Sequence, residues 1–517
     1  MDSKKILWAD DEIELLKPHI LFLEKKGYNV TGVTNGDDAI SLMKEKPFDL
    51  VLLDEMMVGL DGLSVLRELK SFSPETPVIM ITKNEEEKLM EEAIGKKIDD
   101  YLTKPVNPSQ ILSAAKRILD SRTIRSSRIG EEYAMFCGKL RMKLMSYMSW
   151  QDWIDTYVDL CNWDIEFDKY KNSDLIETHK TQWDECNTEF SKYISKNYEN
   201  WMNGDSPTLS PDVFQKYVAD DLADDKKTYF IVMDCMRLDQ WMMIEDLLRE
   251  YFNIDRDYYY SILPTATPYA RNAIFSGLFP LEIYQRYPHY WIEQDPDESS
   301  KNRFERQMVE RQLTDLKIRL RKRPKYIKVF TTEEAIDANR QMASMNGVPL
   351  ISLVFNFTDI LVHNRSELEI MKEIAPDEPA FRSLTRSWFS HSPLLETFKL
   401  IAKQGARVVL TSDHGSVLSK KAALVRGDRE TSPNLRYKYG KNLGCDEKEA
   451  ILLKNPEKFN LPAETGGKNY LIAKENYYFV YPNNFNEYKR QYDMSFQHGG
   501  ISLEEMILPV VTMTPKQ

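Results

Sequence analysis

In the first 120 residues, five short apolar runs alternate with amphipathic stretches. The runs lie at 6–10, 29–33, 50–54, 78–82 and 100–103, and stretches such as 15–26 and 63–72 separate them. Runs this short suit buried strands, and the longer stretches between them suit crossover helices. Five such units predict a doubly wound parallel sheet. In sheets of this kind chemistry gathers beyond the carboxyl ends of the strands.

The polar residues at those ends form a set. Asp10 and Asp11 close the first strand, Asp54 the third and Thr82 the fourth, and Lys104 follows the fifth. Three carboxylates on one rim suit a hard, oxygen-seeking cation such as Mg²⁺. With that charge beside it, Asp54 is placed to attack a phosphoryl donor, and Lys104 to stabilise the transferring oxygens. The Thr82 hydroxyl can bond the new phosphoryl group, and Tyr101 can repack as Thr82 moves. This set, in this order, resembles the CheY-like receiver family over roughly residues 4–120, which implies a flavodoxin-like fold, phosphorylation at Asp54 and a cis peptide at Lys104-Pro105.

Beyond it, the Ser/Arg-rich stretch 121–130 marks a junction. Residues 131–203 are helical in pattern and rich in Trp, Tyr and Met, as in SYMSWQDWIDTYVDL, until Asn203-Gly204-Asp205-Ser206-Pro207 breaks the run. A helical linker bundle and a dimerisation module are both open readings. From about Thr208 the strand–helix alternation returns, with strands expected at 229–234, 350–356, 407–412, 478–481 and 507–513. The expected division is therefore 1–120, 121–207 and 208–517. A chain of 517 residues is too long for one ordinary core, so several domains are required.

The last region carries five clustered clues. A buried strand ends at Asp234; a Pro264-Thr265-Ala266-Thr267-Pro268 segment precedes a helical run to Ser276-Gly277; Asp359 and His363 stand four apart. Thr411-Ser412-Asp413-His414-Gly415 follows a strand, and Gln497-His498-Gly499-Gly500 precedes another. On a helical turn Asp359 and His363 share one face. Asp413 and His414 bring two ligands from one sharp turn, with Gly415 relieving the backbone. Imidazole and carboxylate are zinc donors. Thr267, at a helix start, can serve as a nucleophile whose phosphoryl adduct meets free backbone N–H groups. Arg271 and Asn272, less than two turns later, are candidate phosphate contacts, with helix packing the equal alternative.

These motifs resemble the alkaline phosphatase superfamily in order and spacing, and 264–280 looks like its nucleotide pyrophosphatase/phosphodiesterase branch. The resemblance implies an alkaline-phosphatase-like α/β domain with two zinc ions. Asp359, His363 and His498 would bind one, and Asp234, Asp413 and His414 the other, with Thr267 between them. Asp234-Cys235-Met236-Arg237-Leu238-Asp239 and His498-Gly499-Gly500 look more specifically like PglZ domains, over roughly 226–515. The other histidines, His19, His179, His289 and His391, match no ligand motif.

The order receiver, helical linker, PglZ-type domain resembles the response regulators of type IX secretion. That resemblance implies a sensor histidine kinase partner, a sigma factor or secretion component downstream, a homodimer promoted by phosphorylation, and phosphodiesterase activity on nucleotides or oligonucleotides. The competing class is a catalytically silent zinc-binding scaffold acting through protein partners; Thr267 and the full ligand set favour the enzyme. A DNA-binding factor is disfavoured, since no helix-turn-helix pattern is evident.

The formal net charge of -12 argues against general nucleic-acid coating. One local exception is 301–328, where Lys301, Arg303, Arg306, Arg311, Lys317, Arg319, Arg321, Lys322, Arg323, Lys325 and Lys328 outnumber Glu305, Glu310 and Asp315. It reads either as a solvated helix or as a rim for a polyanion. No apolar run approaches the ~20 residues needed to cross a bilayer, and the opening MDSKKILWADDE has no secretory h-region. The 5 scattered cysteines form no C-x-x-C pair, and a reducing cytoplasm is the expected location.

Overall fold

Strand β3 (Leu50–Asp54) is buried along its whole length, and β4 (Val78–Thr82) is too. Strands covered on both faces need helices above and below, which is what the alternating sequence supplies. In the computed structural model, β3 and β4 join β1 (Lys5–Ala9), β2 (Asn29–Val33) and β5 (Asp100–Thr103) in a parallel sheet of order β2-β1-β3-β4-β5. Leu7, Ala9, Val51 and Leu53 pack one face with helices Gly36–Glu45 and Gly62–Phe72; Ile6, Trp8, Leu52 and Ile79 pack the other with Ile111 and Ala115. Asn35 and Asp61 start the first two of these helices by accepting backbone N–H groups three residues on, at 2.8 and 2.7 Å.

The structure describes residues 3–83, 98–169, 173–291, 302–367, 369–428, 432, 434–463 and 467–516. The chain forms two compact units, Met1–Gly138 and Lys139–Gln517. The helix Pro108–Leu144 runs unbroken through position 120. The stretch 121–130, expected to mark a junction, is therefore helical; no proline or glycine interrupts the run from Ser109 to Ile129.

In the second unit, helices Trp150–Lys169 and Ser173–Trp201 pair through aromatic side chains, with Trp153 against Phe190 at 5.3 Å and Tyr157 against Trp183 at 6.0 Å between ring centroids. Phe190 and Trp201 then pack on Tyr260. The aromatic face of the linker is thus used within the chain. Charged contacts reinforce it: Arg382, buried on helix Glu378–His391, donates to both oxygens of Asp168 at 2.8 Å.

The main sheet of this unit has six strands in the order β7-β18-β10-β6-β9-β8. They are β6 (Thr228–Met233), β7 (Phe252–Tyr260), β8 (Lys325–Val329), β9 (Leu350–Phe355), β10 (Arg407–Thr411) and β18 (Ile507–Pro515). Strands β10, β6, β9 and β8 are parallel, and β18 runs antiparallel between β10 and β7. Phe230, Val232, Val354, Val409 and Val510 fill one face with Ile274 and Phe275 of helix Thr267–Ser276. Smaller sheets complete the domain; β11 (Val417–Ser419) pairs with β17 (Ser495–Gln497). The expected strand at 478–481 appears as β16 (Tyr477–Val480), beside β12 (Lys421–Leu424) and outside the main sheet.

Candidate metal centres and their surroundings

Two clusters of side chains that could hold a metal ion lie, in the second unit, beyond the carboxyl ends of adjacent parallel strands. Asp234 directly follows β6; Asp413 and His414 follow β10; Asp359 and His363 lie on helix Phe357–Glu367, just after β9. His498 follows β17. The structure brings Asp359, His363 and His498 together, and Asp234, Asp413 and His414 together, with ligand atoms within 4.8 Å of one another in each set. The two sets form one centre: the His414 and His498 rings stack at 4.3 Å, and His363 meets His498 edge-on at 5.6 Å.

The donor chemistry fits divalent metal. Asp359 Oδ1 and Asp413 Oδ2 are buried without a hydrogen-bond partner. Leaving a buried acceptor unmatched costs about 1–3 kcal/mol, more for a charge, so a cation in each set, one beside Asp359 and one beside Asp413, would resolve a real deficit. Burial and the neighbouring Asp413 and Asp359 push the Asp234 carboxyl up to about 8, against the pull of Arg271. Burial also lowers His414, although Asp234 and Asp359 oppose it, and a neutral imidazole is what a metal needs. His414 Nδ1 lies 3.1 Å from the Gly415 carbonyl. A carbonyl only accepts, so Nδ1 carries the proton and Nε2 presents its lone pair.

That lone pair faces Thr267. Its Oγ1 sits 2.9 Å from His414 Nε2 and 3.4 Å from Asp234 Oδ1, among the donors of the second set. Thr267 is the first residue of its helix; Pro268 has no N–H, and the Tyr269 and Ala270 N–H groups donate to the Ala266 carbonyl at 3.0 Å, which leaves the Thr267 N–H as the first-turn donor beside its hydroxyl. Tyr269 at the same end packs against Trp291 and Tyr437.

Arg271 and Asn272 differ from the expectation of phosphate contacts. Arg271 is 1% exposed and paired with Asp234 and, at 2.5 Å through Nε, with Glu305. A helix periodicity of 3.6 turns it back onto the carboxylates, where it compensates buried negative charge. Asn272 is also buried, donating to the Pro268 carbonyl at 2.9 Å and accepting from Asn302 at 3.0 Å.

Sequence reasoning missed the residues that hold the ligand loops. Arg436, fully buried, donates to Glu505, which accepts from Gly500 N at 2.8 Å and from the Ser502 hydroxyl at 2.8 Å. This fastens the turn that follows His498. The Ser502-Leu503-Glu504-Glu505 spacing is a helix-start pattern, and Ser502 does cap helix Leu503–Met506. Gly415, next to His414, lies so close to Glu504 that a Cβ there would stand 1.9 Å from its carbonyl oxygen, so only glycine fits. Gly499, at φ 114, meets Tyr437 similarly.

In the first unit, the carboxylates of Asp10, Asp11 and Asp54 also lie within 4.8 Å of one another, with Asp10 and Asp54 buried and Asp11 exposed. Lys104 Nζ sits 3.0 Å from Asp10 and 2.9 Å from Asp54. Burial raises the Asp54 carboxyl, Lys104 pulls it back, and the other two acids add to the rise. The Lys104-Pro105 peptide is cis. Thr82 donates to Glu55, and Tyr101 is half-exposed at 39%.

Of the basic stretch, Lys301 lies outside the described residues. Arg306 and Arg323 pair with Glu310, Arg321 with Asp225, and Lys328 lies 3.8 Å from Glu305. Part of its charge is therefore met within the chain. His19 bonds the Val106 carbonyl at 3.0 Å, and His391 that of Ser387 at 2.8 Å.

Comparison with known proteins gives three family matches. Residues 6–116 match the response regulator receiver domain, 123–202 the PorX response regulator linker domain, and 213–513 the BREX system PglZ alkaline phosphatase-like domain. Among curated relatives, the transcriptional regulatory protein ResD of Bacillus subtilis is 36% identical over 118 residues, 23% of this chain and 49% of its own. BaeR of Escherichia coli is 35% identical over 120 residues, 23% of this chain and 49% of its own. The match thus spans about half the length of these relatives. Among solved structures, a CheY-like receiver from Methanospirillum hungatei is 26% identical, covering 24% of this chain and 98% of that one, with a TM-score of 0.23. Receiver, linker and phosphatase-like domain make the chain a two-component regulator of PorX-type architecture. Among the described residues no helix is long and apolar enough to cross a membrane. With its PglZ match covering more than half of its length, the chain belongs to the PglZ family of alkaline phosphatase-like domains.

Proposed function

We propose that this chain is a cytoplasmic response regulator in which phosphorylation of Asp54 controls a two-zinc phosphodiesterase acting on nucleotides or oligonucleotides. The observation that carries the catalytic part is Thr267: its hydroxyl lies 2.9 Å from His414 Nε2, at a helix N-terminus and among the second ligand set. A scaffold without activity has no use for a nucleophile so placed.

Asp359, His363 and His498 would hold one zinc, and Asp234, Asp413 and His414 the other. Mixed imidazole and carboxylate donors favour zinc over hard cations. Two such ions supply charge stabilisation for both the attacking and the leaving oxygen of an in-line displacement. The chain's own residues do the rest. Asp234 and His414 orient the Thr267 Oγ1 lone pair toward phosphorus, and the Thr267 N–H at the helix start donates to an equatorial oxygen. The Arg436–Glu505 pair keeps the His498 turn in place. Arg271 is spent on Asp234 and Glu305, so no arginine of that helix stands ready for the extra charge of a monoester, which favours diesters.

In the receiver, Asp10 and Asp11 with Asp54 would hold Mg²⁺, and Lys104, already 2.9 Å from Asp54, would stabilise the transferring phosphoryl group. A sensor histidine kinase is the donor this implies. The linker match is in keeping with a PorX-type regulator, and the resemblance to regulators of type IX secretion implies a sigma factor or secretion component downstream and a homodimer promoted by phosphorylation. The test of the enzyme reading is kcat/KM for matched mono- and diesters and for short oligoribonucleotides with the purified, zinc-loaded chain. A diester preference is expected. A clear monoester preference overturns the diesterase assignment, and no turnover of either leaves the scaffold reading.

A further inference from the structure

Both ligand loops of the metal centre touch one short segment, and a linker helix holds that segment. Gly500, two residues after His498, donates to Glu505 at 2.8 Å, and Gly415, next to His414, donates to the Glu505 carbonyl at 3.2 Å. Gly415 also presses on the Glu504 backbone. Residues 500–505 are therefore the common floor of the His498 and His414 turns.

Three residues of helix Ser173–Trp201, spaced four apart and so on one face, reach this floor. Trp183 Nε1 donates to Glu504 Oε1 at 2.5 Å. The Asn187 side chain bonds on both sides: Oδ1 accepts from Leu503 N at 2.8 Å, and Nδ2 donates to Glu504 Oε2 at 3.0 Å. The Ser191 hydroxyl lies 3.4 Å from the Ile501 carbonyl. All of this is buried, with Asn187 at 4% and Glu504 at 1% exposure. Buried, fully matched hydrogen bonds fix geometry strongly, because each partner loses its only alternative to water. The hydrogen bonds that hold the Glu504 carboxyl group come from these two neutral side chains, while Arg237 acts on it through its charge.

We propose that Trp183, Asn187 and Ser191 are positioning residues for the metal centre, the linker helix setting through Leu503 and Glu504 where His498 and His414 present their rings. The proposal rests on the two-zinc reading of the site. It gives the linker a role in metal binding, although none of its residues belongs to a ligand set. Groups that orient metal ligands from behind change affinity by about 10–100-fold when removed. A brace one residue further out belongs at the lower end, about tenfold.

The test is zinc retention by the full chain against a chromophoric chelator, together with thermal melting. Asn187→Leu removes both amide bonds at similar volume, and Trp183→Phe removes the indole N–H and leaves a smaller aromatic ring. Each is expected to raise the zinc dissociation constant about tenfold. The control is Phe190→Leu on the same helix, where the ring packs on Trp153 and Tyr260. It should lower the melting temperature and leave zinc affinity unchanged. Wild-type zinc affinity in Trp183→Phe, or an equal loss in Phe190→Leu, overturns the proposal. A wild type that holds no zinc overturns it along with the two-zinc reading. The expected shift in a chain that hydrolyses no diester supports the brace while overturning only the diesterase reading.

Discussion

Arg271→Met should separate the charge balance of the metal centre from its packing. Methionine approximates the apolar stem of arginine and deletes the charge. Arg271 is 1% exposed, bonded to Asp234 and Glu305 and 3.7 Å from Asp413 Oδ2. At an effective dielectric of about 20, unit charges ~4 Å apart interact by about 4 kcal/mol. Against burial, Arg271 holds the Glu305 carboxyl below its usual range, and removing one partner of such a buried pair costs about 3–5 kcal/mol because the other charge is left uncompensated. Zinc changes this balance, because it brings positive charge to Asp234 and Asp413. The metal-free variant should therefore melt at least 5 °C or so below the metal-free wild type, and the gap should shrink with zinc bound. The pH dependence has a definite sign. Burial raises the Asp234 carboxyl to about 8 despite Arg271, so its contribution to stability is present at low pH and is lost as pH rises through that value. Without Arg271 the carboxyl rises further, so the metal-free gap should widen from pH 6 to pH 8. Circular dichroism melts in chelator and in zinc at these pH values are the assay. An equal loss with and without zinc, or no loss at all, would show that Arg271 does not balance the charge of this site.

Acetyl phosphate with Mg²⁺ should label the wild type and not Asp54→Ala; equal labelling moves the phosphorylation site elsewhere. Beryllofluoride should increase the mass measured by light scattering at micromolar concentration, and an unchanged mass counts against a phosphorylation-driven dimer. Lys438 is 1% exposed, and burial lowers its ammonium to about 7. A lysine lowered on folding destabilises the fold at and below that value, and the penalty fades as pH rises toward its ordinary 10.5. Lys438→Met should therefore raise the melting temperature more at pH 6.5 than at pH 9.5; a gain that grows with pH is the contrary result.

The parts of this protein legible in its sequence are those whose spacing is short. Asp10, Asp54 and Thr82 stand at ends of apolar runs, and the parallel sheet brings those ends to one rim. Asp359 and His363 are one helical turn apart, and Asp413 and His414 are neighbours, so each pair arrives together whatever the rest of the chain does. Strand β7 went unread although Phe252–Tyr260 alternates in burial over much of its length, because its charged residues disguise an edge strand. The two readings of Arg271, phosphate contact and helix packing, stay open in the sequence because spacing along a helix fixes a face without naming what that face meets. The braces were out of reach for a simpler reason. Arg436 and Glu505 are 69 residues apart, and Trp183 and Glu504 are 321 apart, so only the folded chain pairs them.

The proposed role of Thr267 is attack on phosphorus at a two-zinc centre. Its most direct test is Thr267→Val, measured for zinc content and for diester hydrolysis on the same preparation. Valine keeps the shape and removes the hydroxyl, while Asp234, Asp413 and His414 still offer three ligands. Two zinc ions per chain and a loss of kcat of at least about 10³-fold are expected, the scale on which an essential nucleophile is missed. Zinc retained with diesterase activity undiminished would contradict that role.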